Sequence, residues 1–361
     1  MNENKNIFEA LQEEIMNSSL SQAEKNQRLS ALLKVSSRHI NLMLVGTSSA
    51  GKSSTINALF DMSVAKVGVG VDPETKEIVK HDLGSLTIWD TPGLGDGVPE
   101  DKAYIQQIVH KLSETGDDGN LLVDLVMVVV DAGSKDMAVS FDVINNALIP
   151  CLGKDNKHRI LIALNQSDMA MKGRHWDCEQ NAPDDVLAEF LTKKAQSVRR
   201  RISDATGVDV NPVYYCAGYT DENGERQTPY NLSKLLFHIL MAVPADKRLA
   251  LADNLNTDEI NWASNDGDYI EAVKKSFLES LLSGVLGGAE KGAFIGSVAI
   301  GVPGALVGGL VGAVLGGLKS LIIKPLAKLS PIRKRNPLEQ LSSLMNKAKG
   351  AIEYGENLNI N

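Results

Sequence analysis

The spacing of hydrophobic positions changes once near the start of the chain. From about Phe8 to Ser37, apolar residues recur at helical spacing among Glu, Gln and Lys, which predicts one or two amphipathic helices. From Ile40 onward, short segments are apolar throughout and alternate with segments of helical period; these runs are Ile40–Val45, Leu86–Trp89, Leu125–Val130, Ile160–Leu164 and Val213–Cys216. Such runs are typical of strands covered on both faces. The alternation predicts an α/β fold with a doubly wound, mostly parallel sheet.

The alternation of strands and helices stops near Pro244. A polar helical stretch follows, then a glycine-rich apolar segment, a basic run at 333–335 and a short helix. Three regions are therefore predicted: N-terminal amphipathic helices at 1–38, the sheet domain at 39–245, and an α-helical C-terminal region at 246–361. Within the last region, 284–324 has the pattern of a glycine-rich apolar hairpin.

Composition and charge narrow the function classes only a little. The net charge of −8 argues against a protein that coats nucleic acid, and no clear nucleic-acid partner is expected. The three cysteines are widely separated, so neither a disulfide framework nor a zinc site is predicted. The first residues are polar, with no apolar signal segment, so the expected location is the cytoplasm.

The strongest chemical signal directly follows the first predicted strand. Residues Gly46, Thr47, Ser48, Ser49, Ala50, Gly51, Lys52 and Ser53 fit the pattern G-x-x-x-x-G-K-[ST] and precede a predicted helix. In this context the glycines let backbone N–H groups turn toward phosphate oxygens, and the helix N-terminus adds a favourable dipole. Lys52 is expected to bridge the β- and γ-phosphates, and the Ser53 hydroxyl is expected to ligate Mg²⁺.

Two further segments have the positions expected for metal and γ-phosphate contacts. Asp90-Thr91-Pro92-Gly93 ends a predicted strand, where the carboxylate is expected to hold Mg²⁺ through water and the Gly93 N–H to contact the γ-phosphate. Thr75 precedes a plausible second strand and is the candidate threonine that closes over the γ-phosphate and Mg²⁺. An ordinary turn threonine is the competing interpretation.

Two further segments resemble the motifs by which GTPases recognise guanine. Asn165-Gln166-Ser167-Asp168 resembles [NT]-K-x-D, with Gln166 in place of lysine, and Cys216-Ala217-Gly218 resembles the S-A-[KL] loop. The resemblance implies that Asp168 accepts hydrogen bonds from guanine N1 and N2, that Asn165 braces the loop, and that the Ala217 N–H contacts guanine O6. Without the lysine cation, nucleotide affinity is expected to be lower.

Together these motifs resemble the translation-factor-like P-loop GTPases, most closely the Era/TrmE branch, over about residues 40–245; the run Gly51–Leu59 is similar to that branch as well. The resemblance implies a G domain at 39–245 with GTP or GDP and Mg²⁺ as cofactors. The implied catalytic residues are Lys52, Thr75 and Gly93, and the implied metal ligands are Ser53, Thr75 and Asp90. The implied nucleotide contacts are Gly46, Ser48, Ser49, Ala50, Gly51, Lys52, Ser53, Ser54, Asp90, Gly93, Asn165, Gln166, Asp168, Cys216 and Ala217.

Leu94 follows Gly93, at the position where related proteins keep a glutamine that orients water. A leucine has no group that can do this, so slow intrinsic hydrolysis is expected, accelerated by a partner, by self-association or by another loop residue. Ser49 resembles the serine of dynamin-like GTPases rather than the asparagine of potassium-dependent members.

The glycine-rich segment allows three interpretations. There is no charged residue between Gly292 and Leu318, and glycines recur every fourth position from Gly284 to Gly296 and from Gly304 to Gly316. Such stripes let helices approach closely. The segment is predicted to be a hairpin inserted in or lying on a membrane, a helical pair buried against the G domain, or a surface for homo-oligomerisation.

The sequence therefore predicts a protein that hydrolyses GTP to GDP and phosphate as a conformational switch. Its C-terminal helices would couple this to membrane lipid at the inner face of a membrane or to self-assembly. The alternatives are a catalytically weak nucleotide-binding scaffold and an ATPase.

Overall fold

A computed structural model of the chain describes residues 7–60, 77–95, 97–116, 119–135, 137–153, 158–220, 226–262 and 267–285. All of these fall within one compact unit, Met1–Ile322. Thr75 and the predicted hairpin beyond Val285 lie outside the described residues, so their predicted roles stay predictions.

A six-stranded sheet forms the centre of the fold, in the order β2-β3-β1-β4-β5-β8. The strands are β1 (Ile40–Gly46), β2 (Val79–Asp82), β3 (Leu86–Asp90), β4 (Leu125–Asp131), β5 (Ile160–Asn165), β6 (Trp176–Asp177), β7 (Ala182–Pro183), β8 (Val213–Tyr214), β9 (Tyr219–Thr220) and β10 (Arg226–Gln227). Only β2 runs antiparallel in the large sheet. The predicted mostly parallel α/β fold is confirmed, and β6–β7 and β9–β10 form two small hairpins.

Helices cover both faces of this sheet. They are α1 (Ile7–Asn17), α2 (Gln22–Ser36), α3 (Lys52–Leu59), α4 (Val98–Ser113), α5 (Ala138–Val143), α6 (Ile149–Leu152), α7 (Asp185–Thr206), α8 (Leu232–Ala242), α9 (Leu249–Ala252) and α10 (Gly267–Val285). A π-helical turn, Ile144–Leu148, joins α5 to α6. Pro150 lies just beyond this turn; because proline lacks an N–H and crowds the carbonyl of residue i−4, it accounts for the widened turn.

Local sequence signals explain where several helices begin and end. Ser21 and Glu24 form a reciprocal capping box at the start of α2. The Asp184 side chain accepts from the Leu187 N–H at the start of α7, and Gly207 ends that helix in the left-handed region at φ 71°. These are preferred capping residues because they satisfy backbone groups that the helix leaves unpaired.

Successive residues of the central strands β1, β4 and β5 belong alternately to two separate hydrophobic cores. In β1, for example, Leu42 and Leu44 face the core shared with α1, α2, α3, α8 and α10, while Met43 and Val45 face the core shared with α4 and α7. The uninterrupted apolar runs of the sequence follow from this double coverage.

The N-terminal helices and the residues after 245 pack into the first of these cores. The Asp253 side chain accepts from the Ile7 N–H at 3.0 Å, and Lys247 forms an ion pair with the buried Asp124 at 2.7 Å. Helix α10 lies against α8 and α2. The described chain thus continues across residue 245 without a break in packing, while the predicted division into three domains stays a prediction.

Gly284, the first glycine of the predicted stripe, lies at the contact between α10 and α2. A Cβ atom there would lie less than 3.0 Å from the Val35 side chain. This glycine therefore serves close packing of two helices within the chain. Within the described ranges, no helix has the length and apolar character needed to cross a bilayer.

Candidate functional site

The candidate residues meet at one edge of the sheet. Strands β1, β3, β4, β5 and β8 are parallel, so their carboxyl ends lie side by side. This edge brings together the loop 46–53, the segment 90–93, the segment 165–168 and the loop at 216–217. Ligands of doubly wound folds bind at this edge, where helices lead away to opposite faces.

Two glycines in the loop 46–53 are required by their surroundings. A Cβ at Gly46 would lie less than 3.0 Å from the Val129 carbonyl oxygen of the neighbouring strand. Gly51 has φ 87°, in the left-handed region that favours glycine, and a Cβ there would clash with the Asn165 side chain. The loop then enters α3 at Lys52, with Ser53 and Ser54 half-buried in its first turn. The N-terminus of α3 is therefore available to an anion at this edge.

The Lys52 ammonium lies over the loop, where it donates to the carbonyls of Gly46 and Thr47, each at 3.3 Å. These are long, weak contacts for a charged donor. A phosphate placed at the loop would offer Lys52 a stronger, charge-assisted partner.

The backbone of the segment after β3 is hydrogen-bonded to the loop 46–53, which we call the phosphate loop. Ser48 N–H donates to the Leu94 carbonyl at 2.8 Å, and Leu94 N–H donates to the Gly46 carbonyl at 3.1 Å. A Cβ at Gly93 would lie 2.7 Å from Ser48 Cα, so only glycine fits between the two segments. The Leu94 side chain is 1% exposed and packs in the core with Met43 and Val45. The Leu94 side chain therefore lies in the hydrophobic core, and the expectation that it orients no water stays a prediction.

Asp90 is a buried carboxylate with an unused acceptor. It is 6% exposed, and its Oδ1 atom has no hydrogen-bond partner. Burial raises the pKa of the Asp90 carboxyl above its ordinary value, an effect that the nearby positive charge of Lys52 only partly offsets. A buried carboxylate of this kind gains from a cation, so the donor set at Asp90 and Ser53 fits Mg²⁺, which prefers oxygen ligands.

The two residues that begin the guanine-like motif hold the phosphate loop directly. Asn165 Nδ2 donates to the Ala50 carbonyl, and Asn165 Oδ1 accepts from the Ala217 N–H, both at 3.0 Å. Gln166, in the left-handed region at φ 60°, donates from Nε2 to the Ser49 carbonyl at 2.8 Å. Asn165 thus joins three loops, and Gln166 makes its own contact with the phosphate loop without a positive charge.

Asp168 lies beside these contacts with an acceptor to spare. It is 4% exposed, and its Oδ1 atom has no partner. The buried Cys216 thiol lies against this carboxylate: burial, followed by the Asp168 charge, raises the pKa of Cys216 well above its ordinary value. An unpartnered buried carboxylate oxygen is costly, and an N–H group of a bound base, such as guanine N1–H or N2–H, would supply the donor that it lacks.

Every described candidate residue lies at this edge, whereas Thr75 lies outside the described residues. Three further residues were not predicted as site residues, namely Thr55, Ser167 and Tyr215. They link the two base loops, 165–168 and 216–217, to the helix that follows the phosphate loop. A sequence signal was present at Tyr215, which lies in an apolar run, where a buried hydroxyl requires a partner.

Comparison with known proteins supports the fold. Residues 41–166 match the family model described as 50S ribosome-binding GTPase. The fold is that of a P-loop GTPase. No curated protein matches the chain significantly.

Several solved structures are distantly similar. A dimerization-deficient mutant of Toc33 from Arabidopsis thaliana is 19% identical, with 59% of this chain and 86% of that chain covered and a TM-score of 0.37. The bacterial dynamin GTPase LeoA from ETEC is 17% identical, with 81% and 46% covered and a TM-score of 0.38. Era from Aquifex aeolicus bound to GDP and AlF4⁻ is 15% identical, with 57% of each chain covered and a TM-score of 0.37. The likeness is one of fold.

Proposed function

We propose that this chain binds GTP with Mg²⁺ and hydrolyses it to GDP and phosphate as a conformational switch. The observation that supports this best is the unpartnered, buried Oδ1 of Asp168, held at the same edge as the phosphate loop by Asn165 and Gln166. An adenine base offers no pair of donors to that carboxylate. Guanine is therefore the expected base.

The roles of the chain's own groups follow from their positions. Lys52 neutralises the β- and γ-phosphates, and the loop N–H groups hold the phosphate oxygens in place. Ser53 and Asp90 hold Mg²⁺, with Thr75 as the proposed third contact. When bound, Mg²⁺ neutralises negative charge on the phosphate oxygens. The Gly93 N–H contacts the γ-phosphate and is released after hydrolysis, so the segment that follows it changes with the nucleotide.

Base recognition is tested with the substitution Asp168→Asn. We expect the wild type to bind GDP at least about 100-fold more tightly than ADP, because the carboxylate is left unpaired by adenine. Asp168→Asn should lose GDP affinity and gain affinity for xanthosine diphosphate, whose base carries an oxygen at position 2. Equal wild-type affinity for GDP and ADP would identify an ATP-utilising or unspecific site instead.

Hydrolysis is tested by phosphate release over many turnovers, with Lys52→Ala as the inactive reference. Because Leu94 is buried and apolar, position 94 offers no group that could orient the attacking water. We therefore expect slow phosphate release by the dilute protein. Fast single-turnover hydrolysis by dilute monomer would contradict this expectation.

Self-association is the proposed source of acceleration. Its support is the burial of the Leu94 side chain, which leaves position 94 without a group that orients water. We expect the phosphate-release rate per molecule to rise with protein concentration. A rate that stays at the level of Lys52→Ala at every concentration would favour the second candidate, a nucleotide-binding scaffold without turnover.

We also propose that the segment between Gly292 and Leu318 associates with membrane lipid from the cytoplasmic side. The support is its lack of charge followed by basic residues. Flotation of the full chain with anionic liposomes should be reduced by Val311→Glu and unchanged by Val186→Glu, a matched control at a side chain exposed on α7. Equal flotation of all three proteins would remove the proposal.

A further inference from the structure

A chain of buried hydroxyl groups connects the base loops to the phosphate loop. Tyr215 and Thr55 are both 0% exposed, and the Tyr215 hydroxyl oxygen lies 2.6 Å from Thr55 Oγ1. Thr55 Oγ1 in turn donates to the Gly51 carbonyl at 2.7 Å. Gly51 is the phosphate-loop glycine with left-handed backbone that immediately precedes Lys52.

The direction of these hydrogen bonds is fixed by proton counting. A threonine hydroxyl carries one proton, and Thr55 gives it to Gly51, whose carbonyl can only accept. Tyr215 is therefore the donor to Thr55. Burial raises the pKa of the Tyr215 phenol, so the donor keeps its proton at neutral pH.

The backbone of Tyr215 holds the other end of this connection. Its carbonyl accepts from Ser167 Oγ at 2.7 Å and from Ser167 N–H at 3.2 Å. Ser167 immediately precedes Asp168, and Tyr215 immediately precedes the loop of Cys216 and Ala217. A shift of Tyr215 would therefore move both base loops together.

We propose that Tyr215 is a positioning residue that keeps the base loops in register with the phosphate loop through Thr55. This rests on the proposed nucleotide-binding function and adds a residue to it. Asn165 and Gln166 join the same loops at the nucleotide side, whereas Tyr215 and Thr55 join them from within the hydrophobic core.

Tyr215 is proposed to fix the distance between the base subsite and the phosphate subsite. It is not proposed to change how tightly either subsite binds its own fragment. A nucleoside diphosphate gains affinity because its base and its phosphates bind as linked fragments, which requires both subsites in one fixed arrangement. A fragment that occupies only one subsite has no such requirement. Loss of register should therefore weaken GDP while leaving pyrophosphate and guanosine unaffected.

The experiment measures displacement of a fluorescent GDP analogue by GDP, pyrophosphate and guanosine, with Mg²⁺ present, on the full chain. Tyr215→Phe removes only the hydroxyl and should weaken GDP binding by about fivefold, the effect of one typical net hydrogen bond. The two fragments should change by less than about twofold. Thr55→Val should behave like Tyr215→Phe, and Thr55→Ser should restore GDP affinity because it keeps the hydroxyl.

The neighbouring residue provides a matched control. Tyr214 packs against the opposite core and contacts Lys234 through its ring, so Tyr214→Phe deletes the same atom one position away. It should leave all three affinities unchanged.

Two results would contradict the positioning role of Tyr215 while leaving the proposed function intact. One is unchanged GDP affinity in Tyr215→Phe and Thr55→Val. The other is an equal loss of GDP, pyrophosphate and guanosine affinity, which would show damage to the subsites themselves. If the wild type binds no guanine nucleotide, both the proposed function and this inference are wrong. A loss of GDP affinity in Asp168→Asn, measured in the same assay, supports the proposed function whatever the result for Tyr215→Phe.

Discussion

At the scale of single residues, Gln166 shows how this chain departs from the guanine motif that it resembles. Its side-chain amide reaches the Ser49 carbonyl at 2.8 Å, so it makes a phosphate-loop contact while contributing no positive charge. The sequence predicts weaker nucleotide binding from the missing lysine. The structure adds the contact that a substitution would remove.

Replacing Gln166 by alanine should weaken GDP binding about two- to tenfold, because one net hydrogen bond is worth about 0.5–1.5 kcal/mol. Gln166→Lys should strengthen it, since a charged donor makes a stronger bond to the same carbonyl. Isothermal titration calorimetry measures both changes. Gln106→Ala, at an exposed position on α4, is the control, and an unchanged affinity in Gln166→Ala would show that the contact contributes nothing.

His238 on α8 gives a prediction for pH. Burial, with the charge of Lys234 adding to it, lowers the pKa of His238 to about 4, against about 6.5 in an unfolded chain. Between these values the unfolded state binds a proton that the folded state does not. The free energy of unfolding therefore falls as pH falls from about 6.5 to 4, by about 2 to 3 kcal/mol in total from this group.

The substitution His238→Gln should make the pH dependence of unfolding shallower within that window, as measured by urea unfolding at several pH values. His110→Gln, at a side chain that is 81% exposed, should leave the slope as it is. An identical slope in wild type and His238→Gln would contradict the assignment.

At the scale of elements, two contacts join α10 to α2. Gly284 leaves no room for a Cβ beside Val35, and Arg28 of α2 donates to the Val285 carbonyl of α10 at 3.0 Å. A close backbone approach and a side-chain hydrogen bond therefore hold neighbouring residues of α10 against α2.

Gly284→Ala should lower the free energy of unfolding by about 1–3 kcal/mol through overpacking. Val35→Ala, which removes the clashing methyl groups, should make the double variant less destabilised than the sum of the two single variants. Chemical unfolding of the four proteins measures this coupling. Additive effects would mean that the two helices do not meet at these residues.

At the scale of the whole molecule, α1 and α2 share a hydrophobic core with the helix of the phosphate loop, although they lie outside the family match at 41–166. Leu11 on α1 is fully buried there. The end of α3 is also held by the later chain, since Asn256 donates to the Asn57 carbonyl at 2.7 Å. Cooperative unfolding of these parts with the sheet is expected.

Leu11→Ala should therefore destabilise the protein by about 2–5 kcal/mol, as a cavity in a shared core does, and the whole protein should still unfold in one thermal transition. Leu33→Ala, on α2 with a side chain that is 68% exposed, should change stability by less than about 0.5 kcal/mol. Calorimetry that resolves a separate low-temperature transition in Leu11→Ala would instead identify the N-terminal helices as an independent unit.

The periodicity of the sequence predicts most of this architecture because strands buried on both faces and helices with one apolar face leave clear patterns. The strand bounds differ at the end of β8, which was predicted to reach Cys216 but ends at Tyr214. The Tyr215 N–H still donates to the Leu164 carbonyl of β5, but its carbonyl accepts from the Ser167 N–H, and Cys216 pairs with Tyr230 instead of β5. The π-helical turn before Pro150 and the two hairpins with strands of only two residues were not predicted. Such short elements show no periodicity in the sequence.

The candidate site was predictable where a motif fixes both the residue type and its place after a strand, as at Lys52 and Asp168. The link between Thr55 and Tyr215 was not, because it joins residues that are distant in sequence and match no motif. Nothing in the order of the residues shows which buried hydroxyl finds which partner.

The close approach of Gly51 to the Asn165 side chain limits which substitutions positions 51 and 165 can accept during evolution. A side chain at position 51 would collide with the Asn165 amide, while a smaller residue at 165 would give up the bonds to Ala50 and Ala217. Neither position can change first without loss. In the descendants of this gene, positions 51 and 165 should therefore be inherited as a pair.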